Sequence, residues 1–251
     1  MSPRPLITLL TDFGTVDGYA AEVKGVILAA VPEAQVVDVS HDLPTQDVEA
    51  GRLALARYWR RFPKGTIHVA VVDPGVGTGR AALAVASDGR LLVGPDNGIL
   101  SPALLFAGAR AVALPIPASA SATFHGRDVF APAAAQLAGG APVESLGGAH
   151  ASPVIRRTPE PHRLADGGIR GEVITIDRFG NAITNLLAVR GGSVDVAGSR
   201  LQIKRTYADT ADGEPIALAG STGLIEIAVR NGSAAKVLGL KRGVEVVHRR
   251  E

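Results

Sequence analysis

The sequence contains no cysteine among its 251 residues, which excludes disulfide bonds, thiolate metal ligands and a cysteine nucleophile. Aromatic residues are scarce, at 4%, which argues against the interleaved basic and aromatic surface of proteins that bind single-stranded nucleic acid. The net charge of +2 indicates no extended basic tract. No run of about 18 apolar residues is present, and the first residues do not resemble a secretion signal. We therefore expect a cytoplasmic protein without nucleic-acid or membrane partners.

Strand-like and helix-like segments alternate in the first part of the chain. Residues 6–10, 36–39 and 66–72 are short apolar runs typical of buried strands, and residues 19–30 and 47–61 have the apolar spacing of helices. Alternation of this kind predicts an α/β sandwich domain with a largely parallel sheet.

The pattern changes after this alternating part of the chain. Residues 151–170 contain three prolines, a Gly-Gly pair and several charges, and they have little periodicity, so we interpret them as a linker. Short strand-like runs separated by turn residues follow, which predicts a smaller all-β barrel domain. The predicted domains are residues 1–155 and 156–251.

Two carboxylates occupy the loop after the first predicted strand. In open α/β sheets, ligands bind beyond the carboxyl ends of the strands. Asp17, taken alone, is explained by a role as a helix cap. Asp12 is harder to explain structurally, and its two acceptor oxygens match the vicinal diol of a ribose.

Two further polar clusters lie in loops of the first domain. The glycines in residues 73–80 are explained by a turn between strands, but Asp73 and Arg80 are explained less well by it. In residues 123–128, Asp128 suits a helix N-cap. His125 is a candidate active-site histidine, although a single loop histidine is usually structural.

A fourth cluster, residues 177–181, belongs to the second predicted domain. There Asn181 is suited to read an adenine edge and Phe179 to stack on the ring, while a β-turn explains the same spacing equally well.

His41, Asp96 and Asn97 also follow strands, but we assign them no chemistry and interpret them as loop residues. No spacing matches a metal-binding motif.

Five motifs that occur in order together resemble a known family. They are Thr11-Asp12-Phe13-Gly14, Asp73-Pro74-Gly75-Val76-Gly77, Pro95-Asp96-Asn97-Gly98, Thr123-Phe124-His125-Gly126-Arg127-Asp128 and Asp177-Arg178-Phe179-Gly180-Asn181. With them, nearly the whole chain resembles the S-adenosyl-L-methionine hydroxide adenosyltransferases, the hydrolytic relatives of the fluorinase and chlorinase enzymes. The resemblance implies an α/β domain followed by a β-barrel domain. It also implies a homotrimer whose sites lie between one subunit's first domain and its neighbour's second domain.

The implied reaction is attack of water at C5′ of S-adenosyl-L-methionine, which gives adenosine and L-methionine without a metal or redox cofactor. The resemblance assigns catalysis to Asp73, Arg80 and His125, with either Asp73 or His125 accepting the proton of water. It assigns substrate binding to a larger set. That set comprises Asp12 at the ribose, Asp17, Asp177 and Ser221 at the methionine amine, Phe179, Asn181 and Asn231 at adenine, and also Phe124, Gly126, Thr222 and Glu226.

Two residues depart from the pattern of the halogenating relatives. Thr222 stands where the halogenases place an arginine for the methionine carboxylate, and Gly126 stands where the fluorinase has a halide-contacting serine. Two alternatives to the hydrolase are a chlorinase-like halogenase and a non-catalytic sensor of adenosine or S-adenosylmethionine. The set of Asp73, Arg80 and His125 argues against the halogenase, because a halide nucleophile needs no proton acceptor.

Overall fold

The computed structural model describes residues 4–188 and 191–250. The chain divides into two compact units, Met1–Arg156 and Arg157–Glu251. The first holds a sheet covered by helices and the second a closed barrel. The predicted architecture of an α/β domain followed by a smaller β-barrel domain is confirmed.

The first unit is built on a seven-stranded sheet with the order β2-β1-β3-β5-β4-β6-β7. Its strands are β1 (Leu6–Thr11), β2 (Gln35–Ser40), β3 (Ile67–Val71), β4 (Ala82–Ser87), β5 (Arg90–Pro95), β6 (Arg110–Leu114) and β7 (Gly148–Ala149). The helices are α1 (Tyr19–Ala30), α2 (Val48–Tyr58), α3 (Ser101–Leu104) and α4 (Ala131–Ala138), with one π-helical turn at Gly126–Phe130 and short 3-10 turns at Trp59–Arg61 and Val143–Ser145.

Helices cover both faces of this sheet, because alternate strand residues are apolar on each side. On one face Val23 and Ile27 of α1 and Leu137 of α4 pack with strand residues such as Leu9. On the other face Leu55 of α2 packs in a separate core. The three layers leave the strand ends, and the loops that follow them, at the rim of the unit.

The sheet is mixed rather than largely parallel. Strands β2, β1, β3 and β5 are parallel neighbours, whereas β4 is antiparallel to β5 and β6, and β7 is antiparallel to β6. The physical reason is the two-residue turn Asp88-Gly89 between β4 and β5, in which both residues have positive φ, of 47° and 70°. A turn of this type joins antiparallel strands, and the sequence analysis did not identify β4.

The second unit is a barrel of seven strands closed by the pairing of its first and second members. A short strand, β8 (His162–Arg163), extends one edge. The barrel strands are β9 (Ile169–Ile176), β10 (Ala182–Leu187), β11 (Ser193–Val196), β12 (Ser199–Lys204), β13 (Pro215–Ala219), β14 (Leu224–Val229) and β15 (Glu245–Arg249). Two short helical segments interrupt it, a 3-10 turn at Tyr207–Asp209 and α5 (Ala234–Val237). The seven barrel strands thus close into a ring through the pairing of β9 with β10, and β8 pairs with β9 outside the ring.

No helix within residues 4–188 and 191–250 is long and apolar enough to cross a bilayer. The cytoplasmic location stays a prediction.

Gly89 offers a test of the hairpin that sets the antiparallel half of the sheet. Gly89→Ala should lower the free energy of unfolding by about 1–2 kcal/mol, because an L-residue is strained at positive φ. Gly25→Ala is the matched control: Gly25 lies inside α1, and nothing lies within 4 Å of an added Cβ. That change should raise stability by up to about 1 kcal/mol. Chemical denaturation measures both, and changes of the same sign would contradict the prediction.

Candidate active site

A cleft of about 630 Å³ opens at the rim of the first unit, beyond the carboxyl ends of β1 and β3. Because these strands are parallel neighbours, the residues that follow them, Asp12 and Asp73, reach the same cleft. Phe124, His125 and Gly126 line it from the loop that leads into the π-helical turn. The cleft therefore collects five of the predicted site residues from segments far apart in the chain.

Arg80 joins the other two predicted catalytic residues. Its Nε donates to Asp73 Oδ1 over 3.0 Å, and one terminal nitrogen donates both to Asp73 Oδ2 and, over 2.9 Å, to His125 Nδ1. The side chains of Asp73 and Arg80 are 6% and 10% exposed, and His125 is 4% exposed. The guanidinium also lies over the Phe130 ring, 5.4 Å from its centroid. The structure thus brings the three residues into one buried array.

The array fixes the protonation of His125. Burial and the positive charge of Arg80 lower the pKa of His125, against the opposing effect of Asp73 and Asp128. The imidazole is therefore neutral at pH 7. Because an arginine N–H can only donate, Nδ1 must accept the hydrogen bond and the ring hydrogen must lie on Nε2.

Gly77 brings the two loops of the array together. It has a φ of 74°, and a Cβ at this position would lie 2.3 Å from the backbone oxygen of Ala122. Only glycine combines this backbone conformation with so close an approach. The loop after β3 therefore packs directly on the segment that carries His125.

Aromatic rings cover Gly126. A Cβ there would lie 2.9 Å from the Phe13 ring and 3.2 Å from the Phe124 ring. These two rings meet edge to face at 5.6 Å, and Phe124 also contacts the Tyr19 ring at 5.2 Å. A serine hydroxyl therefore has no space at this position unless the rings move.

Asp12 is oriented from outside its own loop. Its Oδ2 accepts a hydrogen bond of 2.7 Å from the backbone N–H of Gln46, which has a positive φ of 62°. A non-glycine residue in this conformation is unusual and is concentrated at functional sites. Oδ1 of Asp12 has no such backbone donor among the described hydrogen bonds, and Asp12 lines the cleft.

The prediction that Asp128 caps a helix is wrong. Asp128 lies inside the π-helical turn; its Oδ2 accepts from the backbone N–H of Ser121, and the Arg127 guanidinium beside it lowers the pKa of the carboxyl group. Arg127 also pairs with Glu22 of α1. Asp128 thus ties the loop before the π-helical turn, and π-helical turns are frequent at functional sites.

Asp17 does not join the cleft. It is exposed, it is not one of the lining residues, and Gly18 rather than Asp17 occupies the N-cap position of α1. Its predicted contact with the methionine amine stays a prediction.

In the second unit, Asp177 organises the turn between β9 and β10. Its Oδ1 accepts from the backbone N–H groups of Phe179 and Asn181, both over 2.9 Å, and its Oδ2 accepts from Asn181 Nδ2 over 3.1 Å. The β-turn interpretation is therefore correct for the backbone. The same turn leaves the Phe179 side chain exposed, at 78%.

The other predicted residues of the second unit lie on and around β14. Ser221 and Thr222 form the exposed turn before it, Glu226 is a buried strand residue, and Asn231 follows it at a φ of 53°. The Tyr207 hydroxyl donates to Glu226 Oε1, and this hydrogen bond, burial and the charges of Glu226 and Asp177 raise the pKa of Tyr207 to about 12. Tyr207 thus binds the predicted residue Glu226 directly.

Sequence reasoning missed several residues that line the cleft. Tyr19 and Glu22 begin α1, and Gln46 precedes the Asp47 cap of α2. The available signal was their position at helix starts beyond strand ends. Tyr207 had no such signal, because it lies in a 3-10 turn distant in sequence from its partners.

Asp96 has a structural role, as its interpretation as a loop residue anticipates. Its carboxylate accepts from the backbone N–H of Val154 over 2.7 Å and contacts His150 Nε2 at 3.0 Å. Asn97 donates to the backbone oxygen of Val72. These contacts fasten the end of the first unit.

Within the described residues, no group of three or more His, Asp or Glu side chains is arranged to hold a metal ion.

Comparison with family models matches both units. Residues 7–147 match the SAM hydroxide adenosyltransferase N-terminal domain, and residues 171–247 match the corresponding C-terminal domain.

Curated relatives cover the chain almost completely. An (R)-S-adenosyl-L-methionine hydrolase from Thermus thermophilus is 47% identical across 97% of this chain and 98% of its own length. A hydrolase of the same name from Salinispora tropica is 40% identical across 97% of both chains. A fluorinase from Nocardia brasiliensis is 30% identical across 97% of this chain and 96% of its own.

Two crystal structures have the same fold. A conserved protein from Thermotoga maritima superposes with a TM-score of 0.88 at 32% identity, over 97% of this chain and all of that one. A conserved protein from Thermus thermophilus superposes with a TM-score of 0.83 at 43% identity, over 98% of this chain and all of that one.

The pKa and the tautomer of His125 can be measured directly. In ¹⁵N-resolved NMR titration, His125 should show a pKa below 6.5 and, at pH 7, the Nε2–H tautomer. Because its pKa is lowered in the folded state, protonation favours unfolding, and its contribution to stability should fall as the pH drops below 6.5. Arg80→Met should raise the pKa, since a neighbouring positive charge is removed. Arg60→Met, at an exposed ion pair, should not change it. An Nδ1–H tautomer in the unaltered protein would contradict the assigned hydrogen bond.

Proposed function

Because the chain belongs to the SAM hydroxide adenosyltransferase family, we propose that it hydrolyses S-adenosyl-L-methionine to adenosine and L-methionine. The observation that carries this proposal is the buried array of Asp73, Arg80 and His125 beside the cleft. The names of both hydrolase relatives described above specify the (R) form, so we extend the proposal to the epimer with (R) configuration at sulfur.

The reaction needs a positioned water more than an acid. The water oxygen forms a bond to C5′, the C5′–S bond breaks, and its electron pair stays on sulfur, which leaves as a neutral thioether. No leaving-group protonation is required, and one proton of the water is released. The protein therefore has to hold the water in line and accept its proton. The step involves no redox change, and we propose that it proceeds without a metal or cofactor.

We assign the proton acceptor to Asp73. His125 Nδ1 already accepts from Arg80, and the other ring nitrogen carries the hydrogen, so neutral His125 has no free acceptor atom. The Asp73 carboxylate has lone pairs left after its two bonds to Arg80. His125 then orients the water as a donor, and the Arg80 charge stabilises the oxygen as negative charge develops.

We propose that the remaining predicted residues bind the substrate. Asp12 accepts hydrogen bonds from the ribose diol, and the Phe124 ring and Gly126 form the wall of the cleft. Asp177 and Ser221 contact the methionine amine, and Phe179 and Asn181 contact adenine, as the family pattern implies.

A chlorinase-like halogenase is the alternative enzyme. The array of Asp73, Arg80 and His125 argues against it, because a halide nucleophile needs no proton acceptor. The hydrolase relatives, at 40–47% identity, are also more similar than the fluorinase at 30%. A sensor without turnover would have no use for an aligned proton acceptor.

Product analysis tests the proposed reaction. The protein should convert S-adenosylmethionine to adenosine and methionine in chloride-free buffer containing a chelator, with the (R) epimer tested separately. Asp73→Asn should lower kcat at least about 100-fold, because the water loses its proton acceptor.

Asp88→Asn serves as the control for that variant, since Asp88 lies in the distal β4–β5 turn, and it should leave kcat unchanged. A strict chloride requirement with a chlorinated nucleoside product would instead identify a halogenase. Binding without any product would identify a sensor.

We further propose that the chain forms a homotrimer in which each site combines one subunit's first domain with its neighbour's second domain. The exposed Phe179 ring, held on a turn fixed by Asp177, supports this proposal, because such a ring is suited to being covered by a partner.

Mixed trimers test the shared site. His125→Ala and Asn181→Ala chains should each be inactive alone, and co-assembly should restore part of the activity, because some interfaces then combine two unaltered halves. Native mass spectrometry verifies mixing. A fully active monomer, or verified mixed trimers without recovery, would contradict the shared site.

A further inference from the structure

A chain of polar side chains lies behind the loop that carries Asp12. His41, at the end of β2, places its Nδ1 2.7 Å from the hydroxyl of Thr11 and its Nε2 3.1 Å from Asp38 Oδ1. Asp38 in turn accepts from Lys24 of α1. The imidazole of His41 is 5% exposed and Thr11 is 1% exposed. This chain connects β1, β2 and α1 immediately beneath the rim of the cleft.

The directions of these hydrogen bonds follow from a single assignment. The hydroxyl of Thr11 accepts from the backbone N–H of Phe13 over 3.2 Å, so its own hydrogen is free to be donated to His41 Nδ1. The neutral imidazole then carries its hydrogen on Nε2, which lies 3.1 Å from Asp38 Oδ1 but is not aligned with it for a hydrogen bond. Burial raises the pKa of Asp38, but Lys24 and His41 beside it outweigh burial and lower that pKa. His41 is therefore held by its hydrogen bond to Thr11, with Asp38 close to the other ring nitrogen.

Both ends of the Asp12 loop are held by this part of the structure. Thr11 binds the backbone of Phe13 on one side of Asp12, and the backbone oxygen of His41 accepts from the N–H of Gly14 over 2.8 Å. The segment that follows His41 supplies Gln46, whose N–H holds Asp12 Oδ2. The side chain and the backbone of His41 thus fix the same short loop.

The arrangement of Asp38, His41 and Thr11 has the order of a nucleophilic triad, but Thr11 is buried and is not among the residues that line the cleft. Its hydroxyl is occupied by the backbone of Phe13 and by His41. A nucleophilic role is therefore excluded, and the geometry supports a role in placing its neighbour.

We propose that His41, acting through Thr11, is a positioning residue that orients Asp12 toward the vicinal diol of the bound nucleoside. This inference rests on the proposed function for the identity of the ligand. It concerns residues that contact no substrate, and it assigns a purpose to a histidine that sequence reasoning left as a loop residue.

The chain contains a matched control for this inference. Three residues earlier in β1, Thr8 Oγ1 lies 2.7 Å from Nδ1 of another buried histidine, His68 of β3. The Thr8 pair has the same chemistry and burial, but no described hydrogen bond joins its side chains to the Asp12 loop. Thr8→Val and Thr11→Val therefore each remove a buried hydrogen bond between a hydroxyl and an imidazole, and only Thr11→Val also removes the acceptor of the Phe13 N–H beside Asp12.

The experiment measures adenosine affinity by calorimetry and hydrolysis by product formation for Thr11→Val, Thr11→Ser, His41→Leu and Thr8→Val. Thr11→Val and His41→Leu should raise both KM and the Kd for adenosine about tenfold, with kcat changed less than about threefold, because ligand binding rather than proton acceptance is impaired. Thr11→Ser retains the hydroxyl and should restore the affinity. Thr8→Val should lower the melting temperature without changing KM or Kd.

Amide hydrogen exchange provides a readout independent of turnover. The N–H groups of Phe13 and Gln46 should exchange faster in Thr11→Val and His41→Leu than in Thr8→Val, because their acceptors are no longer held.

The outcomes separate this inference from the proposed function. Unchanged adenosine affinity in folded Thr11→Val, or equal losses in Thr11→Val and Thr8→Val, would overturn the positioning role. An unaltered protein that binds adenosine but forms no product would refute hydrolysis while leaving the positioning role supported by its affinity data. An unaltered protein that binds no adenosine would overturn the positioning role, and product formation by that protein would leave hydrolysis supported.

Discussion

The guanidinium of Arg80 is the contact on which the chemistry of the first unit depends. It lies between Asp73, which follows β3, and His125, which precedes the π-helical turn. An arginine does not lose its proton in proteins, so it acts as a permanent donor to both neighbours. One buried charge thereby pairs with a carboxylate and helps to lower the pKa of an imidazole. Removing it would leave Asp73 as an unpaired buried anion, a costly arrangement.

The two units position their polar residues in different ways. In the second unit, Asp177 and Asn181 are fixed within a five-residue turn, so local sequence determines their geometry. In the first unit, Arg80 and His125 are 45 residues apart, and they meet only because Gly77 lets one loop pack on another. The first geometry is local, whereas the second exists only once the whole sheet has formed.

This difference explains how much could be predicted from the sequence. The strands of the parallel half, α1, and most barrel strands follow from apolar runs and turn residues. Strand β4 could not be predicted from the sequence, because its alanine-rich residues lack the β-branched pattern that identifies β3. Asp128 was assigned to a helix cap because residue type alone cannot distinguish a cap from a π-helical turn.

The same limit applies to the cleft. Asp12, Asp73 and His125 could be found because polar residues after strands, and the family motifs, point to them. The contact between His41 and Thr11 could not be found, since it depends on the register of β1 against β2. Residue patterns identify which side chains reach an edge of the sheet, whereas pairing across the sheet decides which of them touch.

The packing of Phe13 and Phe124 over Gly126 also constrains how such a site can change during evolution. A hydroxyl-bearing residue at position 126 collides with the Phe13 ring before it can contact anything in the cleft. An added side chain at position 126 therefore requires the Phe13 ring to move or a smaller residue at position 13. The effect of a substitution at either position thus depends on the residue at the other, and the two positions are epistatically coupled.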